Sequence, residues 1–220
     1  MKKIEERTDE KGFRRIWLYE TIGGYEYQTY CGLVDKSGKE IVPCKYHNIL
    51  GFFNGMPLAC VELSHKWGYI DSNGKEVVPC EYDFADDRFY CGLATVTKKH
   101  KSGAINSRGI EVIPCIYDDV FVFIDNLAGV SRNGKYGSID TKGDIIIDFK
   151  YEYLGVMGQN RICICSYGKY GLIDYKGCLI APCIYDGLTD FKSGNRIEFK
   201  KGAEHGFLDI NGNVIQILPF

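Results

Sequence analysis

Trp67-Gly-Tyr-Ile-Asp-Ser-Asn-Gly74 decides the fold, because the chain writes this phrase six times. The other copies are Cys31-Gly-Leu-Val-Asp-Lys-Ser-Gly38, Ser102-Gly-Ala-Ile-Asn-Ser-Arg-Gly109, Tyr136-Gly-Ser-Ile-Asp-Thr-Lys-Gly143, Tyr170-Gly-Leu-Ile-Asp-Tyr-Lys-Gly177 and His205-Gly-Phe-Leu-Asp-Ile-Asn-Gly212. Copies recur about every 34 to 36 residues, the period of a structural repeat that stacks into an array. Two residues after the first Gly an aliphatic always follows: Val34, Ile70, Ile105, Ile139, Ile173 and Leu208. The residue between varies, so the phrase reads as a strand of period two whose Gly and aliphatic face inward. A Gly on that face implies that another backbone approaches closely.

Asp-x-x-Gly, or Asn106-Ser-Arg-Gly109 in the third copy, then closes a turn. The Asx side chain accepts from backbone N–H groups ahead and Gly takes the positive φ. A second strand follows in Glu40-Ile-Val-Pro43, Glu76-Val-Val-Pro79, Glu111-Val-Ile-Pro114, Ile145-Ile-Ile-Asp148 and Leu179-Ile-Ala-Pro182, where proline stops the ladder or confines it to an edge. A third strand precedes each phrase, as in Leu58-Ala-Cys-Val61, Leu93-Ala-Thr-Val96, Leu127-Ala-Gly-Val130, Arg161-Ile-Cys-Ile164 and Arg196-Ile-Glu-Phe199, with Arg14 to Tyr19 serving the first copy. The fold class is all-β: tandem three-stranded antiparallel meanders forming an open superhelical, solenoid-like array, with a closed propeller-like ring as the alternative. Residues 1–13 are expected to be a charged N-terminal segment and 14–220 a single domain of six units.

The Trp67-Gly68 pair, with Tyr69-Ile-Asp-x-x-Gly74, Val77-Val-Pro79 and Tyr82-Asp83, resembles the bacterial WG (KWG) β-repeat family over residues 14 to 220. The other copies replace the Trp, and the fourth has Asp148-Phe149 where others have Pro-Cys. The resemblance implies a repeat scaffold for binding, of bacterial or mobile-element origin, and brings no catalytic motif.

A composition of 45% hydrophobic and 25% charged residues suits a soluble globular chain. The net charge of -2 gives no general attraction to phosphate backbones or anionic lipid, so neither nucleic acid nor a membrane is the expected partner. The N-terminus has no apolar export signal, which points to the cytoplasm and to reduced thiols for the ten cysteines.

Cys44, Cys80, Cys115 and Cys183 form a column that could be read as a metal or redox ladder. Their spacing lacks the short paired ligands of a zinc site, so small buried hydrophobes are the expected role. Asp35, Asp71, Asp140, Asp174 and Asp209 read as turn residues rather than calcium ligands. Tyr46, Tyr82, Tyr117, Tyr151 and Tyr185 read as core rings with their hydroxyls at the rim. His47, His65, His100 and His205 fall in unrelated columns, so no Ser/His/Asp or Cys/His constellation appears and no enzyme is expected. No cofactor or metal is assigned.

Recognition should use what the copies do not share, on the connections from each Tyr to the next strand. Phe53, Phe89, Ile124 and Phe191 recur there and are assigned to the core. The uneven remainder is Phe52, Asp83, Asp86, Asp87, Tyr90, Asp118, Asp119, Phe121, Phe123 and Asp125, an aromatic and acidic strip suited to a protein with a basic surface. Lys98-Lys-His-Lys101 reads as a charged hairpin tip. The expected function is a cytoplasmic, non-enzymatic scaffold for protein–protein interaction, an accessory or adaptor protein. A small-ligand sensor is the second reading and a cysteine-based metal or redox protein the third.

Overall fold

A computed structural model describes residues 2–9, 12–52, 56–189 and 195–218, with only the backbone of 2–8. Sheet 1 holds β1 (Lys2–Thr8), β2 (Arg14–Ile22), β3 (Tyr25–Val34) and β4 (Glu40–Tyr46). Sheet 2 holds β5 (Asn48–Leu50), β6 (Ala59–Leu63), β7 (Lys66–Ile70) and β8 (Glu76–Tyr82). Sheet 3 holds β9 (Phe84–Ala85), β10 (Leu93–Lys98), β11 (Lys101–Asn106) and β12 (Glu111–Tyr117). Sheet 4 holds β13 (Asp119–Val120), β14 (Leu127–Arg132), β15 (Lys135–Asp140) and β16 (Ile145–Tyr151). Sheet 5 holds β17 (Tyr153–Gly158), β18 (Arg161–Ser166), β19 (Lys169–Ile173) and β20 (Leu179–Tyr185). Sheet 6 holds β21 (Gly187–Leu188), β22 (Ile197–Lys201), β23 (Glu204–Leu208) and β24 (Val214–Ile217).

All six are antiparallel meanders, and among the described residues no helix is long and apolar enough to cross a membrane. The three expected strands are present in every sheet, preceded by a further strand of two or three residues in sheets 2, 3, 4 and 6 and of seven and six residues in sheets 1 and 5. In sheets 2 to 6 it lies in what the sequence presents as connection; in sheet 1 it is Lys2–Thr8, so the charged N-terminal segment is part of the first unit. The chain divides into an N-terminal unit, Met1–Cys115, and a C-terminal unit, Ile116–Phe220.

Consecutive sheets within each unit pack face to face. Leu33, Val42 and Tyr46 of sheet 1 meet Ile49, Ala59, Val61 and Ile70 of sheet 2. In the C-terminal unit Ile147 meets Ile162, Ile164 and Ile173, while Cys163, Leu172 and Ala181 on the other face of sheet 5 meet Ile197, Phe199 and Leu208. The alternating side chains of each inner strand therefore serve two different cores. That is why the variable residue of the phrase, Leu33, Tyr69, Ala104, Ser138 or Leu172, is buried as fully as the invariant aliphatic. Two-residue hairpins join the inner strands, with both residues at positive φ in Ser64–His65, Lys99–His100, Asn133–Gly134 and Tyr167–Gly168, as such turns demand.

The fourth strand is bulged over the phrase glycine. Trp67 pairs with Tyr82 and Tyr69 with Val78, leaving Pro79, Cys80 and Glu81 opposite the single residue Gly68. A Cβ at Gly68 would lie 2.5 Å from the Val78 carbonyl oxygen and 2.7 and 2.8 Å from backbone atoms of Pro79 and Cys80. Proline thus falls inside the strand rather than ending it, and the strand is the sheet edge. The following cysteine crosses the glycine. Sγ of Cys44, Cys80 and Cys115 donates at 3.7, 3.8 and 3.9 Å to the carbonyls of Ile16, Val61 and Val96. Those acceptors are the residues directly opposite Gly32, Gly68 and Gly103.

The Asx turns are alike in all six copies. Asp71 Oδ1 accepts from the N–H groups of Asn73 and Lys75, both at 2.9 Å, and Asp35, Asn106, Asp140, Asp174 and Asp209 accept from their equivalents.

Because the clash at Gly68 is with backbone, Gly68→Ala should cost about 3 kcal/mol or more. Gly187→Ala, where a Cβ meets nothing within 4 Å, should change stability by less than about 1 kcal/mol. Urea unfolding of the two variants checks the contrast; equal losses would refute the close-crossing account.

Candidate binding cavity and the connections around it

The first strands carry the connections named in the sequence analysis. In the C-terminal unit those of sheets 4, 5 and 6 wall a cavity of about 490 Å³. Its lining includes Phe121, Val122 and Ile124 beside β13, Tyr153 and Met157 on β17, Tyr170 on β19, and Asp186, Leu188 and Thr189 around β21. Rings dominate one wall. The Phe121 ring lies 6.0 Å from Tyr136 and 6.3 Å from Tyr153, and Tyr153 lies 6.2 Å from Tyr170, edge-on. Gly155 makes this possible, since a Cβ there would come within 2.5 Å of the Tyr153 hydroxyl.

Asp186 at the cavity margin pairs with Lys169 and accepts from the Gly202 N–H at 2.6 Å. The Lys169 ammonium first, and then that N–H, hold its carboxyl below the usual range. The same position recurs after every Tyr of the fourth strand. Asp83 pairs with Lys66, and that ammonium and the N–H groups of His100 and Lys99 lower its pKa. Glu152 accepts from Gly168 and Tyr167 at 2.9 and 3.1 Å, which lowers its pKa, and His47 Nδ1 accepts from Ser64 N–H at 3.1 Å. In the three carboxylate cases the residue bonds to the hairpin tip of the following sheet. Sequence reasoning missed this cap, although the pairs Tyr46-His47, Tyr82-Asp83, Tyr151-Glu152 and Tyr185-Asp186 are its signal.

The aromatic and acidic strip is accordingly divided. Phe52 and Phe123 are 0% and 2% exposed, so they are core and not contact surface; Phe52 packs on Phe13 at 5.4 Å. The corresponding core assignments Phe53 and Phe191 lie outside the described residues, as does part of the connection that carries each. Phe89 packs beside Tyr69, and Ile124 faces the cavity. In the N-terminal unit Asp83 caps its hairpin. The half-buried Asp86 accepts from Arg88 N–H at 3.0 Å, and burial raises its pKa. Asp87 lies 4.0 Å from Arg88, and Tyr90 bridges to Leu93. In the C-terminal unit Asp125 accepts from Gln159 N–H at 3.0 Å and the Tyr175 hydroxyl at 2.9 Å, tying sheets 4 and 5. Asp118 donates its N–H to Ser131, Asp119 is exposed on β13, and Phe121 joins the cavity wall.

The six thiols whose pKa burial raises are poor ligands and nucleophiles. Burial pushes Cys31 up to about 12 and Cys115 to about 11, and raises Cys60, Cys80, Cys165 and Cys183 as well. Tyr69, also raised by burial, donates its hydroxyl at 2.6 Å to the Asp86 carbonyl.

Repeated face-packed meanders with a walled cavity define a β-repeat protein. The chain belongs to the WG-containing repeat family, whose model matches residues 32–66, 67–101, 103–136, 136–170 and 170–203 in tandem. No curated protein sequence matches it. Among solved structures it is similar to a eukaryotic initiation factor at 12% identity and a TM-score of 0.53, covering 98% of this chain and 65% of that one. It is also similar to Hsv2p of Kluyveromyces lactis (9% identity, TM-score 0.46, covering 98% and 78%) and to the WD40 domain of Neurospora crassa Pan2 (10%, 0.38, 87% and 80%). The first likeness shows shared fold alone; the chain spans just under two thirds of that protein.

The capping carboxylates set an acid limb. Their folded pKa lies below the unfolded value of about 4, so the unfolded chain takes up protons first as pH falls. The stability they add is present above that value and is lost as pH drops through the folded pKa. Asp83→Asn with Asp186→Asn should lower the melting temperature at pH 7 and flatten its fall in acid. Thermal melts between about pH 7 and pH 2 test this; parallel curves for the variant and the wild type would refute it.

Proposed function

We propose that the chain is a non-catalytic interaction module of the bacterial cytoplasm, an accessory or adaptor protein that docks on another protein. The observation that carries this reading is the cavity of about 490 Å³ walled by Phe121 beside β13 of sheet 4 and by Tyr153 and Tyr170 of sheet 5. Such a site fits a long side chain from a basic partner: an arginine or lysine stem lies along the rings with its cation over a ring face, while Asp186 stays paired with Lys169. The exposed Asp119 beside β13 adds steering toward a basic surface. A second reading, a sensor for a small ligand, has support from the cavity volume, which is within the range of small-molecule sites.

The test is affinity purification from the native cells followed by calorimetry with the purified partner. Leu188→Glu and Tyr153→Ala, both checked for native melting curves, should weaken binding at least about tenfold, a loss of about 1.4 kcal/mol, and added salt should weaken the wild-type complex. A partner that binds both variants as well as the wild type would sink the cavity as its docking site. A small molecule retained in stoichiometric amount, with no protein, would favour the sensor.

A further inference from the structure

The residue two places after each turn glycine divides the chain in half. It is Glu40, Glu76 and Glu111 in the first three copies and Ile145, Leu179 and Val214 in the last three. The structural position is the same: Glu40 and Glu76 pair with Val34 and Ile70, and Ile145, Leu179 and Val214 pair with Ile139, Ile173 and Leu208. All lie on outer edge strands. Exposed edges are ordinarily kept apart by charge or proline, and glutamate serves that purpose in the N-terminal unit. In the C-terminal unit the column is 48%, 65% and 51% exposed, so burial within the unit does not explain its aliphatics. Ile146, Ile215 and Ile217 are exposed beside it. The edge defence is weakest in β24, which places Ile217 where β4, β8, β12 and β20 have proline and stays in register past Gly206.

We propose that the outer edges of β16, β20 and β24 form a self-association surface on which a second copy of this chain docks. The column carries no charge, so it offers nothing for a charged partner to pair with, and a charge laid on it would lose its water without compensation. Three aliphatics repeated at one spacing, on sheets that pack in succession, are matched by a surface with that same spacing, which another copy supplies. A twofold axis at Leu179, the most exposed of the three, sets Ile145 of one copy opposite Val214 of the other and reverses the strands, so both side chains and edge backbones are complementary. Fully covering these six half-exposed aliphatics buries roughly 500 Å² per copy, about 1,000 Å² for the pair, the threshold size of a weak, concentration-dependent association. This surface is separate from the cavity and does not depend on the reading of that site.

Sedimentation of the full chain between about 1 and 100 µM tests the proposal, with association expected to be concentration-dependent and not weakened by salt. Leu179→Glu, and the triple change Ile145→Glu, Leu179→Glu and Val214→Glu, give these copies the glutamate of the first three. Both should be monomeric with native melting curves, and the single variant decides the matter if the triple one unfolds. A wild-type chain that stays monomeric throughout, whether or not it binds phosphatidylcholine–phosphatidylglycerol vesicles, overturns the proposal. A dimer that persists in Leu179→Glu does the same.

Discussion

The crossing of the fourth strand over a residue without a side chain is the constraint on which the rest of each sheet depends. Gly32, Gly68, Gly103, Gly137 and Gly171 each have a backbone carbonyl of that strand within 2.2 to 2.7 Å of where a Cβ would stand. The bulge that results shifts the strand by two residues, so the aliphatic before it and the Tyr after it face the next sheet together. It also puts the cysteine thiol over the glycine, in reach of a carbonyl two strands away. Proline suits the bulge because its N–H would have no ladder partner. One missing side chain therefore explains the proline, the cysteine and the tyrosine of the repeat.

The repeat in sequence and the sheet in space are out of phase. The match over residues 67–101 takes in β7 and β8 of one sheet and β9 and β10 of the next. A copy cannot form a complete sheet by itself; it closes one and opens another. The carboxylate after the Tyr works across the same seam, pairing with a lysine behind it and the hairpin tip ahead, as Asp83 does with Lys66 and His100. Stability in such a chain comes from neighbours, in the manner of stacked repeats.

What was legible in the sequence is what repeats locally. The Asx side chain and its turn glycine lie within four residues, and the alternation of the inner strands spans five or six. The first strands of sheets 2, 3, 4 and 6 were not legible, because two or three residues such as Phe84–Ala85 carry no measurable period. The burial of Phe52 carries no local signal, because it stands one place outside the recurring column that includes Phe89 and Ile124. The capping role of Asp83 was hidden for another reason: its partners at the hairpin tip lie 16 and 17 residues ahead, beyond any local pattern.

This bears on how recognition divides between charge and shape. Read along the chain, the connections look acidic, which suggests long-range steering. In space Asp83 neutralises a lysine, Asp125 holds a backbone N–H and a tyrosine hydroxyl, and Asp86 is half-buried with a raised pKa. Carboxylates spent on folding contacts contribute little field to an approaching partner. The rings follow the opposite course: Phe121, Tyr153 and Tyr170 assemble from separate copies into one wall that no single repeat presents. Specificity built this way resides in the juxtaposition of copies, so substitutions that leave every repeat motif intact still reshape the cavity.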